Sequence, residues 1–339
     1  MKPVNHVQQI RSRVNAWRRA RRQRGQVLVI MALGFVALTG MTGLAIDGGR
    51  VYMQQARMQN AADGGTSSGT YLLATKWNGS QIYTTSSAVQ TAVDQTAHTN
   101  GLSVSKSTTV EYIDKNQHTL AGFGATARGV RVTTADPIPT TFLRIFGVST
   151  LPASAKAQGL FGPPSQLPNV FPLVISANAD ILIDGKDFWF QPPGAGGDCS
   201  GAQCVNYEML ANLPAWPSPA PLLNLKVGDK RMTVATDNPS VSTATKNYIQ
   251  SMIAADTTGS SCTNVIMPNS RVVFIPQSDS NFSAPPENKE VLKFRAFMFT
   301  SVSNSKINGC WVAVNDFGGT IDPSLPYTGV TTMSLVPPT

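Results

Sequence analysis

Cysteines, clustered aspartates and isolated histidines are the side chains of this 339-residue sequence whose types and spacing could do chemistry. The four cysteines, Cys199, Cys204, Cys262 and Cys310, all lie in the second half. An even count in an oxidising compartment reads as disulfides, and four cysteines allow three pairings. Cys199–Cys204 across the loop CSGAQC, with Cys262–Cys310, is the simplest. The alternative is a metal site, against which stand an uncommon Cys-x4-Cys spacing and the lack of any His after His118. Asp180, Asp184 and Asp187 surround Gly185, as calcium-binding carboxylates or as a solvated hairpin turn. Asp279-Ser280-Asn281-Phe282-Ser283 approaches an Asp-x-Ser-x-Ser cation-binding pattern, with Asn281 in place of its middle Ser. His98 and His118 stand near no nucleophile-elbow run and no metal-spaced carboxylate, and no Gly-x-Gly-x-x-Gly or P-loop sequence occurs. No catalytic residue, metal site or cofactor is therefore assigned. An anchored hydrolase or glycan-binding module would need a carboxylate pair in a cleft lined by aromatics such as Trp189, Trp216 and Trp311.

The element that must position everything else is at the N-terminus. Residues 1–24 carry eight Lys/Arg and no acid, among them Arg18, Arg19, Arg21, Arg22 and Arg24. From Gly25 to Ile46 no side chain is ionisable, and charge returns at Asp47 and Arg50. A helix crosses a hydrocarbon core of about 30 Å in about 20 residues, so 25–46 has the length of a transmembrane span. Lys/Arg stay on the cytoplasmic side, which predicts a single pass through the bacterial cytoplasmic (inner) membrane with the N-terminus inside and the bulk of the chain extracytoplasmic. Removing those eight cations from the 27 of the whole chain leaves 19 Lys/Arg against 19 Asp/Glu. The formal charge of +8 is thus a juxtamembrane patch facing the lipid bilayer, and no nucleic acid is implied. A cleaved secretory signal would have a shorter apolar core, about 7–15 residues, and a cut near Gly43-Leu44-Ala45. A prepilin cut after Gly25 would carry Glu at its fifth mature position, which here is Ile30. An uncleaved signal anchor is the expected form. Within it Thr39, Gly40 and Gly43 offer a small-residue face for helix packing. Asp47 and Arg50, one turn apart, mark the outer membrane interface.

Val51, Met58, Ala62 and Gly65 recur at helical period beyond the span and predict that the helix continues outward. Arg24-Gly25-Gln26, the apolar span, Asp47-Gly48-Gly49-Arg50 and Gln59-Asn60-Ala61-Ala62-Asp63 together resemble the N-terminal segment of TadG-like proteins of Flp (tight adherence) pilus assembly. A second stretch, Val130–Gly159, is similar to the same family in its strand, Pro- and Phe-rich short helix and second strand. The family continues in an Ala-rich run where this chain has Gly64-Gly65-Thr66-Ser67-Ser68-Gly69, so the helix is expected to end near Gly64–Gly65. The resemblance implies a structural, non-enzymatic component that helps to assemble or anchor the pilus machinery or acts in surface adherence. Its partners would be other pilus-assembly or pilin-like membrane proteins.

The expected fold class is α+β: a transmembrane helix running into an extracytoplasmic helix, then an antiparallel β-rich domain with a few helices. Alternating β-branched residues predict strands at Val104–Ile113 and Gly129–Thr134, with a short helix at Thr140–Phe146 and a strand at Ser149–Ala157. The Gly-Pro-rich run 162–168 reads as a boundary between a helix and small α/β region (47–161) and a β-rich domain (169–339). In the latter, strands are expected at Phe171–Ser176, Ala179–Ile183, Asp187–Phe190, Arg271–Ile275, Leu292–Val302 and Cys310–Val314, with a helix at Thr243–Ala255. The proline-rich loop Leu213–Leu222 reads as an extended connection.

Overall fold

Between Pro3 and Pro137 there is no proline to interrupt a helix, and the first element is a long one, α1 (His6–Thr75). The computed structural model describes residues 6–176, 186–191, 204–210, 223–234, 240–278, 287–316 and 319–338, with side chains from Val27 on except at 176, 232, 234, 287, 315 and 316. After α1 come α2 (Ser86–Thr99), β1 (Thr109–Ile113), β2 (Gly129–Ala135), β3 (Ile138–Pro139), a 3-10 turn (Leu143–Phe146), β4 (Thr150–Leu151) and β5 (Ser154–Gly162). Then follow β6 (Pro164–Val170), β7 (Leu173–Ser176), β8 (Phe188–Gln191), β9 (Cys204–Leu210), β10 (Leu223–Lys226), β11 (Lys230–Val234) and α3 (Thr243–Ala255). The chain ends with β12 (Val272–Ser278), β13 (Glu287–Val302), β14 (Ile307–Val312), β15 (Val314–Asp316), β16 (Thr320–Ile321) and β17 (Val330–Val336). Two compact units result, one combining α1 up to Gln59 with 135–155, the other combining 60–134 with the rest of the chain from Lys156.

Helix α1 does not stop at Gly64–Gly65. A Cβ on Gly65 would lie 3.0 Å from Val93 Cγ1, and one on Gly69 would lie 2.7 Å from Val93 Cγ2 and 3.2 Å from Val130 Cγ2. These glycines let α2 and β2 approach the helix backbone, and that packing outweighs their cost in helix propensity, about 1 kcal/mol each. On the adjacent rows Thr66 and Thr70 meet Gly159 of β5 in the same way. Helix α2 starts at Thr85, whose side chain accepts the Ala88 N–H, and buries Val89, Val93 and Ala97 at intervals of four. Both helices pack on a five-stranded sheet of order β1-β2-β5-β17-β15 around a core of Leu73, Trp77, Tyr112, Val130, Val132 and Phe161. The first strand is shorter than expected because Asp94 takes the Thr108 N–H and hydroxyl just before it.

Gly162 ends β5 and Pro164 starts β6, whose pairing with β10, β12 and β16 places it inside a ten-stranded sheet. That sheet is mostly antiparallel, as expected, with parallel pairings of β6 and β7 to β12 and of β8 to β9. Direct β12–β13 and β8–β9 pairings close it back on itself. One apolar layer is aromatic, with Phe188, Phe190, Phe297 and Trp311 in edge or tilted contact at 4.4–6.4 Å between ring centroids and Ile249 of α3 packed in the same cluster. The helix expected at Thr243–Ala255 is α3, capped by Ser242. The expected strand Ala179–Ile183 lies outside the described residues, as does Leu213–Leu222.

Cys262 and Cys310 form a disulfide between the loop before β12 and strand β14, closing 48 residues of sequence. Cys204 is also disulfide-bonded; Cys199 lies outside the described residues. Replacing Cys262 and Cys310 by Ala should lower unfolding free energy by about 4 kcal/mol on chain-entropy grounds, read as a lower denaturant midpoint. Gly69→Val should cost about 1–3 kcal/mol by overpacking. Gly48→Ala, at an open helical position where no atom lies within 4 Å, should stabilise by about 0.5–1 kcal/mol, both read by thermal melting in detergent.

Candidate functional site

Continued toward the N-terminus, the buried row of α1 passes through polar residues: Gly43, Asp47, Gln54 and Met58 are buried at spacings of four and seven. A helix that buries a carboxylate must offer it donors, since an unbonded buried charge is costly. In this unit the donors come from 135–155. β3 and β4 pair antiparallel, Ile138 opposite Leu151, and the 3-10 turn between them is closed by Gly147 in the left-handed region at φ 85°.

Asp47 is 1 % exposed. Its Oδ1 accepts the Thr141 N–H at 2.9 Å, and its Oδ2 accepts those of Phe142 at 2.9 Å and Leu143 at 2.8 Å. The Leu143 N–H, joined by the N–H groups of Thr141 and Phe142 and by the Arg50 charge, holds the Asp47 carboxyl below the usual carboxylate range, although burial works in the opposite direction. Arg50 was expected to pair with Asp47 at the membrane interface. Its Nη1 instead donates to Thr141 Oγ1 at 2.6 Å, and it reaches Asp47 as a nearby charge. Further along, Gln54 Nε2 donates to the Asp136 carbonyl and carboxylate at 3.4 and 3.3 Å, while Gln55 exchanges hydrogen bonds with both backbone groups of Ser154. As the helix residue number falls from 54 to 47, its partner's number rises from 136 to 143. The hairpin therefore descends along α1 toward the apolar stretch.

Of the expected packing residues, Gly43 is used within the chain: a Cβ there would lie 2.5 Å from Phe142 Cβ. Gly40 is open, with no atom within 4 Å of such a position, and Thr39 Oγ1 donates to the Phe35 carbonyl at 2.8 Å. Arg18, Arg19, Arg21, Arg22 and Arg24 belong to α1, in the part whose side chains lie outside the described residues. His98 Nδ1 lies 3.3 Å from the Leu102 carbonyl and His118 lies 3.5 Å from Asp114, both local contacts. Asp180, Asp184 and residues 279–283 lie outside the described residues, and so does Trp216. Trp311 is buried in the aromatic layer, and Trp189 carries the Lys306 ammonium 4.6 Å from its ring centre. Among the described residues no group of three or more His, Cys, Asp or Glu is placed to hold a metal. What the sequence missed was the backbone partner of Asp47. Continuing the Val51–Met58–Ala62 stripe one turn before Met58 and one turn before Val51 would have put Gln54 and Asp47 on the covered face.

Because the folded-state pKa of Asp47 is depressed, its contribution is fully present above the ordinary carboxylate range and lost as pH falls through the lowered native value. The protection factors of the Thr141–Leu143 amides, taken against the intrinsic exchange rate at each pH, should therefore be high at pH 7 and fall below about pH 4. Asp47→Ala should show the low protection at pH 7 already.

No curated protein and no solved structure matches the chain. Residues 25–69, which hold the apolar stretch, Asp47, the two glutamines and the close-packing glycines 64, 65 and 69, match the model of a family described as putative Flp pilus-assembly TadE/G-like.

Proposed function

We propose that the protein is a single-pass, membrane-anchored structural component that contributes to Flp pilus assembly, anchoring or surface adherence by tethering. The single observation behind this is the TadE/G-like match over 25–69, which coincides with the helix that carries the apolar stretch and the Asp47 junction. The physical state of that helix supports the anchor. Only 6 % of its most apolar 18-residue window is buried by the chain itself, and Leu28, Phe35, Val36 and Met41 stand about 70 % exposed. A surface of that size needs an apolar surrounding. The N-terminus on this reading lies in the cytoplasm and the β-rich part beyond the inner membrane, supported by the basic residues before the span and by the Cys262–Cys310 disulfide, a bond that forms in oxidising compartments. On this reading the protein works by presenting surfaces to other pilus-assembly membrane proteins, without a catalytic step.

Two measurements test the two halves of the proposal. Alkaline phosphatase fused after Gly159 should be active in a bacterial host, and an inactive fusion would reject the orientation. Deleting the gene in the organism that carries it should abolish Flp pili and tight adherence and be restored by the full chain. Undiminished piliation and adherence would reject the role.

A further inference from the structure

The tip of the 138–151 hairpin has a composition that water does not favour. Ile145 is 79 % exposed and Phe146 is 74 % exposed, and Phe142 and Leu143 precede them in the same turn. These residues share an apolar cleft with Phe35, Val36, Thr39, Gly40 and Leu44 of α1. Residues 35–44 stand 3 to 12 positions before Asp47, about 5–18 Å along the axis at 1.5 Å per residue, which is the outer half of the proposed span. A hairpin tip beside them is at the depth of hydrocarbon.

We propose that the 138–151 hairpin is a second membrane-embedded element, a wedge whose Phe142, Ile145 and Phe146 side chains lie among the acyl chains of the outer leaflet. This rests on the anchor reading above. Non-helical backbone at that depth must have its polar groups satisfied inside the protein. Here the N–H groups of Thr141, Phe142 and Leu143 go to Asp47, and that of Thr140 goes to the Ser149 carbonyl. Ile145, Gly147 and Val148 donate to the carbonyls of Phe142, Arg144 and Leu143 within the turn, and the Thr140 hydroxyl donates to the Val148 carbonyl. A turn in water would have no need of a buried carboxylate to collect three of its amides. The occupant is lipid because the tip is continuous with a helix surface, Phe35, Val36 and Leu44, that is itself 60–70 % exposed and is already assigned to the bilayer. Arg144, exposed in the same turn, has the long side chain that carries a cation up to lipid phosphates while its stem stays apolar.

The test uses the full chain in phosphatidylcholine–phosphatidylglycerol vesicles, with a nitroxide on Ile145→Cys or Phe146→Cys. Leu33→Cys reports the span and Lys115→Cys the aqueous side, and no free cysteine competes among the described residues. Collision with oxygen should exceed collision with a water-soluble nickel chelate severalfold at 145 and 146, as at 33, and the order should reverse at 115. If position 33 behaves as lipid-exposed while 145 and 146 collide chiefly with the chelate, the wedge is overturned and the anchor stands. Labels at 145 and 146 shielded from both reagents would put protein in place of lipid and overturn it too. A water-exposed label at 33 would remove the anchor itself, and the wedge with it.

Discussion

A carboxylate that accepts three consecutive backbone N–H groups is the interaction on which the unit built from the first part of α1 and residues 135–155 depends. Asp47 follows 22 uncharged residues, a place where an acid would ordinarily face headgroups and water. It is instead almost completely covered by the chain. Burial alone would raise its pKa and favour the neutral acid; the donors of Thr141, Phe142 and Leu143 reverse that balance, Leu143 foremost. The bond serves both partners. The carboxylate loses water and gains three donors, and the turn finds acceptors for amides that a 3-10 helix leaves open at its start. Once the turn is held there, Phe142 can close over Gly43, and Gln54 and Gln55 can fix the hairpin's two ends at Asp136 and Ser154.

The same face of α1 changes its means of contact along its length. At Gly43 it needs the absence of a side chain, at Asp47 and Gln54 it needs polar bonds, and at Met58 and Ala62 it buries apolar area. Within the second unit it returns to absence at Gly65 and Gly69, where Val93 and Val130 sit against the helix backbone. Glycine in a helix interior costs backbone entropy, but a close helix–sheet approach recovers dispersion contacts over many atoms. Exposed Gly48 and Gly49 have no such neighbour, so close packing does not account for them.

This alternation explains how much the sequence disclosed. The length and charge of 1–46 made α1 legible, and Ser242 with a clean apolar period made α3 legible to the residue. Several strands of the ten-stranded sheet were legible from β-branched runs. Strands β9 and β13 were harder because Glu208 and Lys289 are buried within them, Glu208 Oε2 accepting the Thr233 hydroxyl of a neighbouring strand. Helix α2 escaped notice since only Val89, Val93 and Ala97 mark its inner face among Ser, Thr and Gln. The expected helix end at Gly64–Gly65 failed for a related reason: a glycine pair reads as a stop signal unless the neighbour that needs the space is known. Of the candidate site, Asp47, Arg50 and Gly43 were visible as residues. Their partners were not, because a partner 90 residues away leaves no local period.

The chemistry of those partners makes the concealment general. Asp47 bonds to main-chain amides, Gln55 to the two main-chain groups of Ser154, and Gly43 to the space under Phe142. Apart from Thr141, Asp136 and Phe142, the hairpin contributes backbone, and backbone is available from almost any side chain in the right conformation. The constraint on residue type therefore falls on one side of the junction, on the helix, while the hairpin is constrained mainly in shape. A family signal concentrated over 25–69 fits that asymmetry, since that stretch holds Gly43, Asp47, Arg50, Gln54 and Gln55 together. At the tip of that hairpin this chain places Ile145 and Phe146.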